Sequence, residues 1–370
     1  MNSQTFQNIS KIIERESKTT TYKFALLRGV IDIIQDNSPY ISFSEDRVHF
    51  LTGLLVEKWM LYYYPILESE VVIPQIGANT QLAFLVEFEI VINYYKTRGG
   101  FSAFYNDLKS KGIPNDIQND FISLVRKLRS TIINNPFKYI GSSINSNEYS
   151  IFKIGNGASF GITSDVDFEY LLNSCGSFSI PSDYYDAFKL LGSFIGGNDS
   201  ILFKWAEFSS NASKGDVKVE KAIHEILRSP ITNRDVDESK KIYNQILQKE
   251  GEVRCVWSNL PIQRFDVDHV IPFSVWKNND LWNLLPAKAS INNGKRDKIP
   301  TPEQLIKSKE LIFHYWDLMS QSQTLRFNRE IKVTLLGSNQ HKNWHQSALD
   351  QLQSSCRHLI TQRGFEPWEL

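Results

Sequence analysis

The 370-residue sequence predicts a mainly α-helical protein with a small mixed α/β region and a C-terminal ββα module flanked by helices. Three observations carry that prediction. Apolar residues recur three and four positions apart through most of residues 1–135, the period of an amphipathic helix. Between 136 and 216, short β-prone runs are broken by glycine and asparagine. From 253 to 300 the pattern becomes two strand-like runs, a polar loop and a helical stretch.

Taken in order, "TYKFALLRGVIDIIQ" places Phe24, Leu27, Ile31 and Ile34 on one helical face. "TGLLVEKWMLYYY", "LAFLVEFEIVINYY" and "FISLVRKLRSTIINN" supply three further helices, the last with Arg126, Lys127 and Arg129 on its polar side. The aromatics from Trp59 to Tyr63 are expected in the core between helices, not on a base-stacking surface. "YSIFKIG" and "SFGITS" read as short strands. "DYYDAFKLLGSFIGG", "ILFKWAEFSS", "VKVEKAIHEILRSP" and "VDESKKIYNQILQKE" return to helix. "VRCVWS" and "FDVDHVIP" read as two strands joined through "NLPIQR", and "WNLLPAKASINNGKRDKIP" as a turn leading into a helix. "TPEQLIKSKELIFHYWDLM" carries Pro302 in its first turn, where a missing N–H is harmless. "KNWHQSALDQLQSSCRHLI" is a terminal helix. The expected organisation is a helical domain over 1–135, a mixed region with connecting helices over 136–248, the ββα module over 249–325, and a strand/helix extension over 326–370.

Composition narrows the function classes. Hydrophobic residues at 41% and charged residues at 22% fit a folded, soluble chain. Lysine plus arginine equals aspartate plus glutamate, at 41 each, so nucleic-acid binding would need a local basic patch. The three cysteines, 175, 255 and 356, are too sparse for a disulfide framework and form no CxxC pair. No secretion-signal run opens the sequence and no apolar tract is long enough to span a bilayer, so a cytoplasmic protein without membrane contact is expected.

The chemistry concentrates in "VDHVIPFSVWKNNDLWNLLP", residues 267–286, and in the "INNGK" that follows. Phosphodiester hydrolysis needs a water, a group to deprotonate it, and positive charge beside the phosphate. Asp268 offers a carboxylate for a hard divalent ion, and Asn292 or Asn293 a neutral amide oxygen. His269 is a side chain able to accept a proton at neutral pH. Lys295 can steady the helix or contact phosphate. Neighbours on a regular strand face opposite ways, so Asp268 and His269 share a site only where the strand bends or ends.

These residues resemble the HNH, or ββα-metal, endonuclease family, and most of all its zinc-free subgroup that includes the HNH domain of Cas9-type proteins. Asp268–His269 match the acidic–histidine pair, Asn283 the middle asparagine, Asn292 the last metal position and Lys295 the lysine after it. The resemblance implies a catalytic set of Asp268, His269, Asn283 and Asn292. In it Asp268 and Asn292 hold the metal, His269 activates water, and Asn283 holds the loop by hydrogen bonds. Mg²⁺ is the expected ion, with Mn²⁺ as a substitute. Ser258 stands where a CxxC partner of Cys255 would be, so no structural zinc is expected. Packing of Val253, Trp257, Val270, Ile271, Leu284 and Leu285 is expected to hold the finger instead, with Cys255 as a small buried residue.

Lys288, Lys295, Arg296 and Lys298 form a basic run and are candidate phosphate contacts, with Arg254 and Arg264 flanking the expected hairpin. His341 and His345 are four apart but lack the glutamate of a zinc-protease motif, which favours a surface or packing role. The resemblance spans about residues 250–300. It implies a bacterial or phage DNA endonuclease acting on double-stranded DNA in restriction or anti-phage defence. The N-terminal region would then select the target, sense a phage-derived or protein activator, or form a homodimer. The alternatives are a non-catalytic nucleic-acid-binding or regulatory protein keeping the HNH fold, and an RNA-directed nuclease.

Overall fold

The computed structural model describes the backbone of residues 3–15, 19–77, 81–145, 148–161, 165–195, 201–230, 232–337 and 343–370. Helix makes up 61% of the chain and the sheets are small, so the protein is mainly α. Two compact units divide it: Met1–Asp36 with Tyr40–Ile231, and Asn37–Pro39 with Thr232–Leu370.

The first unit is built around the helices foreseen from periodicity, among them Tyr22–Gln35, Thr52–Glu68, Leu85–Lys96 and Gln118–Asn134. Their aromatics are core: Trp59, Tyr63, Phe84, Phe88 and Trp205 are fully buried. Tyr22 stacks on Trp59 with ring centroids 5.5 Å apart, and Phe84 meets Tyr63 edge-on at 5.0 Å. A Cβ on Gly53 would lie 2.2 Å from the Leu171 carbonyl oxygen, so only glycine lets Thr52–Glu68 approach Phe168–Ser174 this closely.

The unit's sheet orders Ser42–Phe43, Arg47–Leu51, Ser177–Pro181 and Lys153–Ile154, all antiparallel. Val48 pairs with Ile180 and Phe50 with Phe178, which places the alternate apolar residues of "RVHFL" inward. Neither Arg47–Leu51 nor Ser177–Pro181 is among the strands expected from sequence, because each is shorter than the window over which a period shows. "YSIFKIG" yields Glu148–Ser150 and Lys153–Ile154. "SFGITS" forms no strand over 159–161, and its residues 162–164 lie outside the described residues.

The second unit has an irregular stretch before the helix Asp237–Glu250, which Gly251 terminates at φ 78°. Val253–Arg254 and Pro261–Ile262 form a two-stranded hairpin. Asp266–His269 then pairs antiparallel with Leu284–Ala287, placing Leu284 opposite His269 and Leu285 opposite Asp268. This corrects the expected pairing. "VRCVWS" and "FDVDHVIP" are not partners, and the strand beside the Asp–His pair is "LLPA", assigned from sequence to the turn before the helix. All four of its residues are buried, so it has no alternation to betray a strand.

The polar loop between these strands contains the short helix Phe273–Trp276 and a 3₁₀ turn at Leu281–Asn283. The helix Ala289–Lys295 completes the ββα unit. The helices Pro302–Lys307, Lys309–Ser322, Thr324–Ile331 and Trp344–Thr361 pack behind it. The six finger residues expected to pack together, Val253, Trp257, Val270, Ile271, Leu284 and Leu285, all lie in one core with Trp282, Tyr315 and Trp316. Among the described residues, no helix is long and apolar enough to cross a membrane.

Candidate active site

His269 is the last residue of its strand, and the chain turns at Val270 and Ile271 before Pro272. That turn answers the geometric condition set by the sequence, because Asp268 and His269 both line one cavity of about 570 Å³. Asn292 and Asn293 line it from the helix, Pro272, Phe273 and Ser274 from the loop, and Arg234, Arg296 and Asp297 supply its remaining charged lining.

Asp268 is 3% exposed, and both of its oxygens have donors. Lys295 Nζ donates to Oδ1 at 3.0 Å and Trp257 Nε1 donates to Oδ2 at 2.7 Å. Burial pushes the carboxyl up from its ordinary value, against the opposing pull of Lys295 and of the indole N–H. His269 packs edge-on against Phe273, with ring centroids 5.5 Å apart, and its Nε2 lies 3.3 Å from Asn279 Oδ1. Burial, aided by the charges of Arg234 and Lys295 and opposed by the Asn279 contact, pushes its pKa down to about 4. The imidazole is therefore neutral at pH 7 and holds a lone pair for a proton.

Asn283 is fully buried and does not line the cavity. Its Oδ1 accepts the Ile271 N–H at 2.8 Å, and its Nδ2 donates to the Ile271 and Asn278 oxygens at 3.0 and 3.1 Å. Counted with the catalytic set from sequence, it sits where it closes the loop, without access to a substrate.

Lys295 requires a correction. Expected either to steady the helix or to contact phosphate, its side chain has 0% exposure. Besides Asp268 it donates to the His269 carbonyl at 2.6 Å, tying the helix to the end of the strand. An ammonium without surface cannot meet a nucleic-acid backbone. Of the other basic candidates, Arg296 reaches the cavity, from a backbone with φ 53°. Lys288 and Arg264 are exposed but outside the lining. Lys298 pairs with Glu366 at 2.5 Å, and Arg254 is taken up by Asn259 and Glu252. Sequence reasoning missed Arg234, Asn279 and the donor role of Trp257. A buried indole N–H needs an acceptor, which was the one available signal for Trp257. Arg234 and Asn279 lie in loops where no periodicity points to a site.

His341 lies outside the described residues. His345 Nε2 lies 2.7 Å from Asp317 and its ring stacks on Trp344, a packing arrangement. Cys255 is buried and its sulfur accepts the Lys288 N–H at 3.2 Å.

The donors at the cavity fit a hard divalent ion. Asn292 Nδ2 donates to Asp266 Oδ2 at 3.2 Å, which leaves the amide oxygen as the remaining acceptor. Each Asp268 oxygen keeps a lone pair beyond the one its donor uses. A carboxylate and an amide oxygen are the hard oxygen donors that such an ion takes.

Comparison with known families gives two matches along the chain. Residues 257–301 match the family model described as HNH endonuclease, which supports hydrolytic nuclease chemistry on a nucleic acid for this module. Nucleases of that kind generally use divalent metal ions. Residues 2–227 match a second family model, and through this match, which spans more than half of its length, the chain belongs to the family described as Domain of unknown function (DUF8808).

Proposed function

We propose that the protein is a metal-dependent DNA endonuclease of the zinc-free HNH kind, in which His269 is the general base and Asp268 and Asn292 are the metal ligands. The observation that carries this reading is the convergence of Asp268, His269 and Asn292 on one cavity that also presents Arg234 and Arg296. The neutral His269 ring takes a proton from water as the water attacks phosphorus. Arg234 and Arg296 hold the phosphate in place by charge. Phe273 packs edge-on against the ring and holds it at the cavity wall. A bound divalent cation, Mg²⁺ first and Mn²⁺ as substitute, supplies charge stabilisation at the phosphate and the leaving oxygen.

A nuclease module joined to a larger unit of a separate family supports a division of labour. The N-terminal unit selects a target or senses a trigger, and the module cuts, as restriction or anti-phage defence requires. Incubating the protein with plasmid and phage DNA, methylated and unmethylated, in Mg²⁺ or Mn²⁺ tests this. Wild type should cleave, and His269→Ala should be slower by about 10²–10⁴-fold. Equal cleavage by the two would remove the base assignment. Cleavage of RNA alone would move the substrate. A wild type inert on every substrate would favour a non-catalytic binding protein.

A further inference from the structure

We propose that residues 233–235, the strap that opens the second unit, act with Asn279 as positioning residues that hold the His269 ring in one tautomer, so that the site depends on a segment outside the nuclease match. The argument starts from the Asn279 amide. Its Nδ2 donates to the Asn233 carbonyl at 2.8 Å, and its Oδ1 accepts the Asp235 N–H at 3.0 Å. A carbonyl can only accept and a backbone N–H can only donate, so these two partners fix which way the amide faces. The side chain bridges the strap as a neighbouring strand would. The same Oδ1 lies 3.3 Å from His269 Nε2. Because that oxygen only accepts, Nε2 carries the hydrogen and Nδ1 keeps the lone pair. Nδ1 is the nitrogen left to take a proton from water.

Further bonds hold the strap and Asn279 in place. Arg326 Nη2 donates to the Asn279 carbonyl at 3.0 Å. The Asp235 carboxylate accepts the Asp237 N–H at 3.0 Å, tying the strap to the first turn of Asp237–Glu250. Between the two anchors, Arg234 donates to the Val267 carbonyl at 3.4 Å and lines the cavity. One short segment thus sets the orientation of the base and places a cation beside it. Residues 257–301, which match the nuclease family, contain His269 and Asn279 but none of the strap. A displacement of the strap is felt at Nε2 and, through the tautomer, at Nδ1.

This inference rests on His269 being the base, yet its direct readout does not. The full chain, labelled with ¹⁵N-histidine, is observed by NMR, with His269 assigned from the signal lost in His269→Ala. Wild type should show protonated Nε2 and unprotonated Nδ1. Asn279→Ala should populate the other tautomer and lower kcat for plasmid cleavage at least tenfold, with KM changed less than threefold. Asn279→Asp keeps an acceptor for Nε2 and should keep the tautomer. Asp235→Pro removes the strap's N–H together with the carboxylate that accepts from Asp237, and should shift the tautomer balance and lower kcat by several fold. A wild-type tautomer and rates within twofold in both Asn279→Ala and Asp235→Pro would overturn the inference. Should His269→Ala cleave normally, the base reading falls, while the tautomer measurement still decides the strap.

Discussion

In the N-terminal unit Lys109 reaches Glu57 at 2.6 Å and lies 3.5 Å over the Phe168 ring, and in the C-terminal unit Lys295 reaches Asp268 at 3.0 Å. Both carboxylates are about 4% exposed. The lysines differ: Lys109 keeps 24% of its side-chain surface and Lys295 keeps none. In the first pair solvent reaches the cation and the carboxylate faces packed side chains. In the second the cation is sealed and the carboxylate borders a cavity. The first arrangement lets a charged side chain close a core while its ammonium stays partly hydrated. The second spends a buried cation to keep an anion beside open space. Buried pairs are seldom needed for stability, since well-packed apolar groups often serve as well. A pair that props a carboxylate against a cavity therefore supports reading Asp268 as a ligand.

The comparison can be broken most sharply at Lys295. Lys295→Met leaves Asp268 buried with only the Trp257 donor, and should destabilise the second unit by about 3–5 kcal/mol in urea melts. Combined with Asp268→Asn it should cost less than the two single changes added, because the unpaired charge is gone. Additive losses would mean that the pair is not coupled. A smaller effect comes from protons. His269 is neutral in the fold with its pKa pushed down to about 4, below the ordinary 6.5. Between those values the unfolded chain binds more protons, so stability rises with pH and levels off above 6.5. The full span is at most about 3 kcal/mol. His269→Gln should flatten it, and Lys295→Met should narrow it, since Lys295 contributes to the lowering. The smallest effect is expected at Lys109→Met, about 1–3 kcal/mol, because its partner is left buried but the lysine was already partly hydrated. Cleavage per folded molecule should not change there. A loss at Lys109 equal to that at Lys295 would erase the distinction.

The helices from Tyr22 to Asn134 were legible because each repeats an apolar face over three or more turns. The spacing of Asp268–His269, Asn283, Asn292 and Lys295 was legible because it resembles the residue pattern of the HNH family. The strand Leu284–Ala287 was not, since a strand buried on both faces carries no alternation. Arg47–Leu51 and Ser177–Pro181 were hidden by their shortness, since each has too few residues to show a period and becomes a strand only by pairing with distant segments.

Residue order and type were enough to state that this chain is mainly helical and that its nuclease motif lies in one late segment. Those statements depend on local periodicity and on functional groups close together along the chain. The tertiary structure decided that Lys295 turns inward, that Asn283 closes a loop, that Arg234 lines the cavity, and that Asn279 meets the His269 ring. These depend on which distant atoms satisfy a buried donor or charge. Lys295 reads as a surface cation until Asp268 and the His269 carbonyl are found around it. Asn279 reads as loop until Asn233 and Asp235 are found holding its amide against the histidine. A buried polar group must be paired, and the identity of its partner is a property of the folded chain.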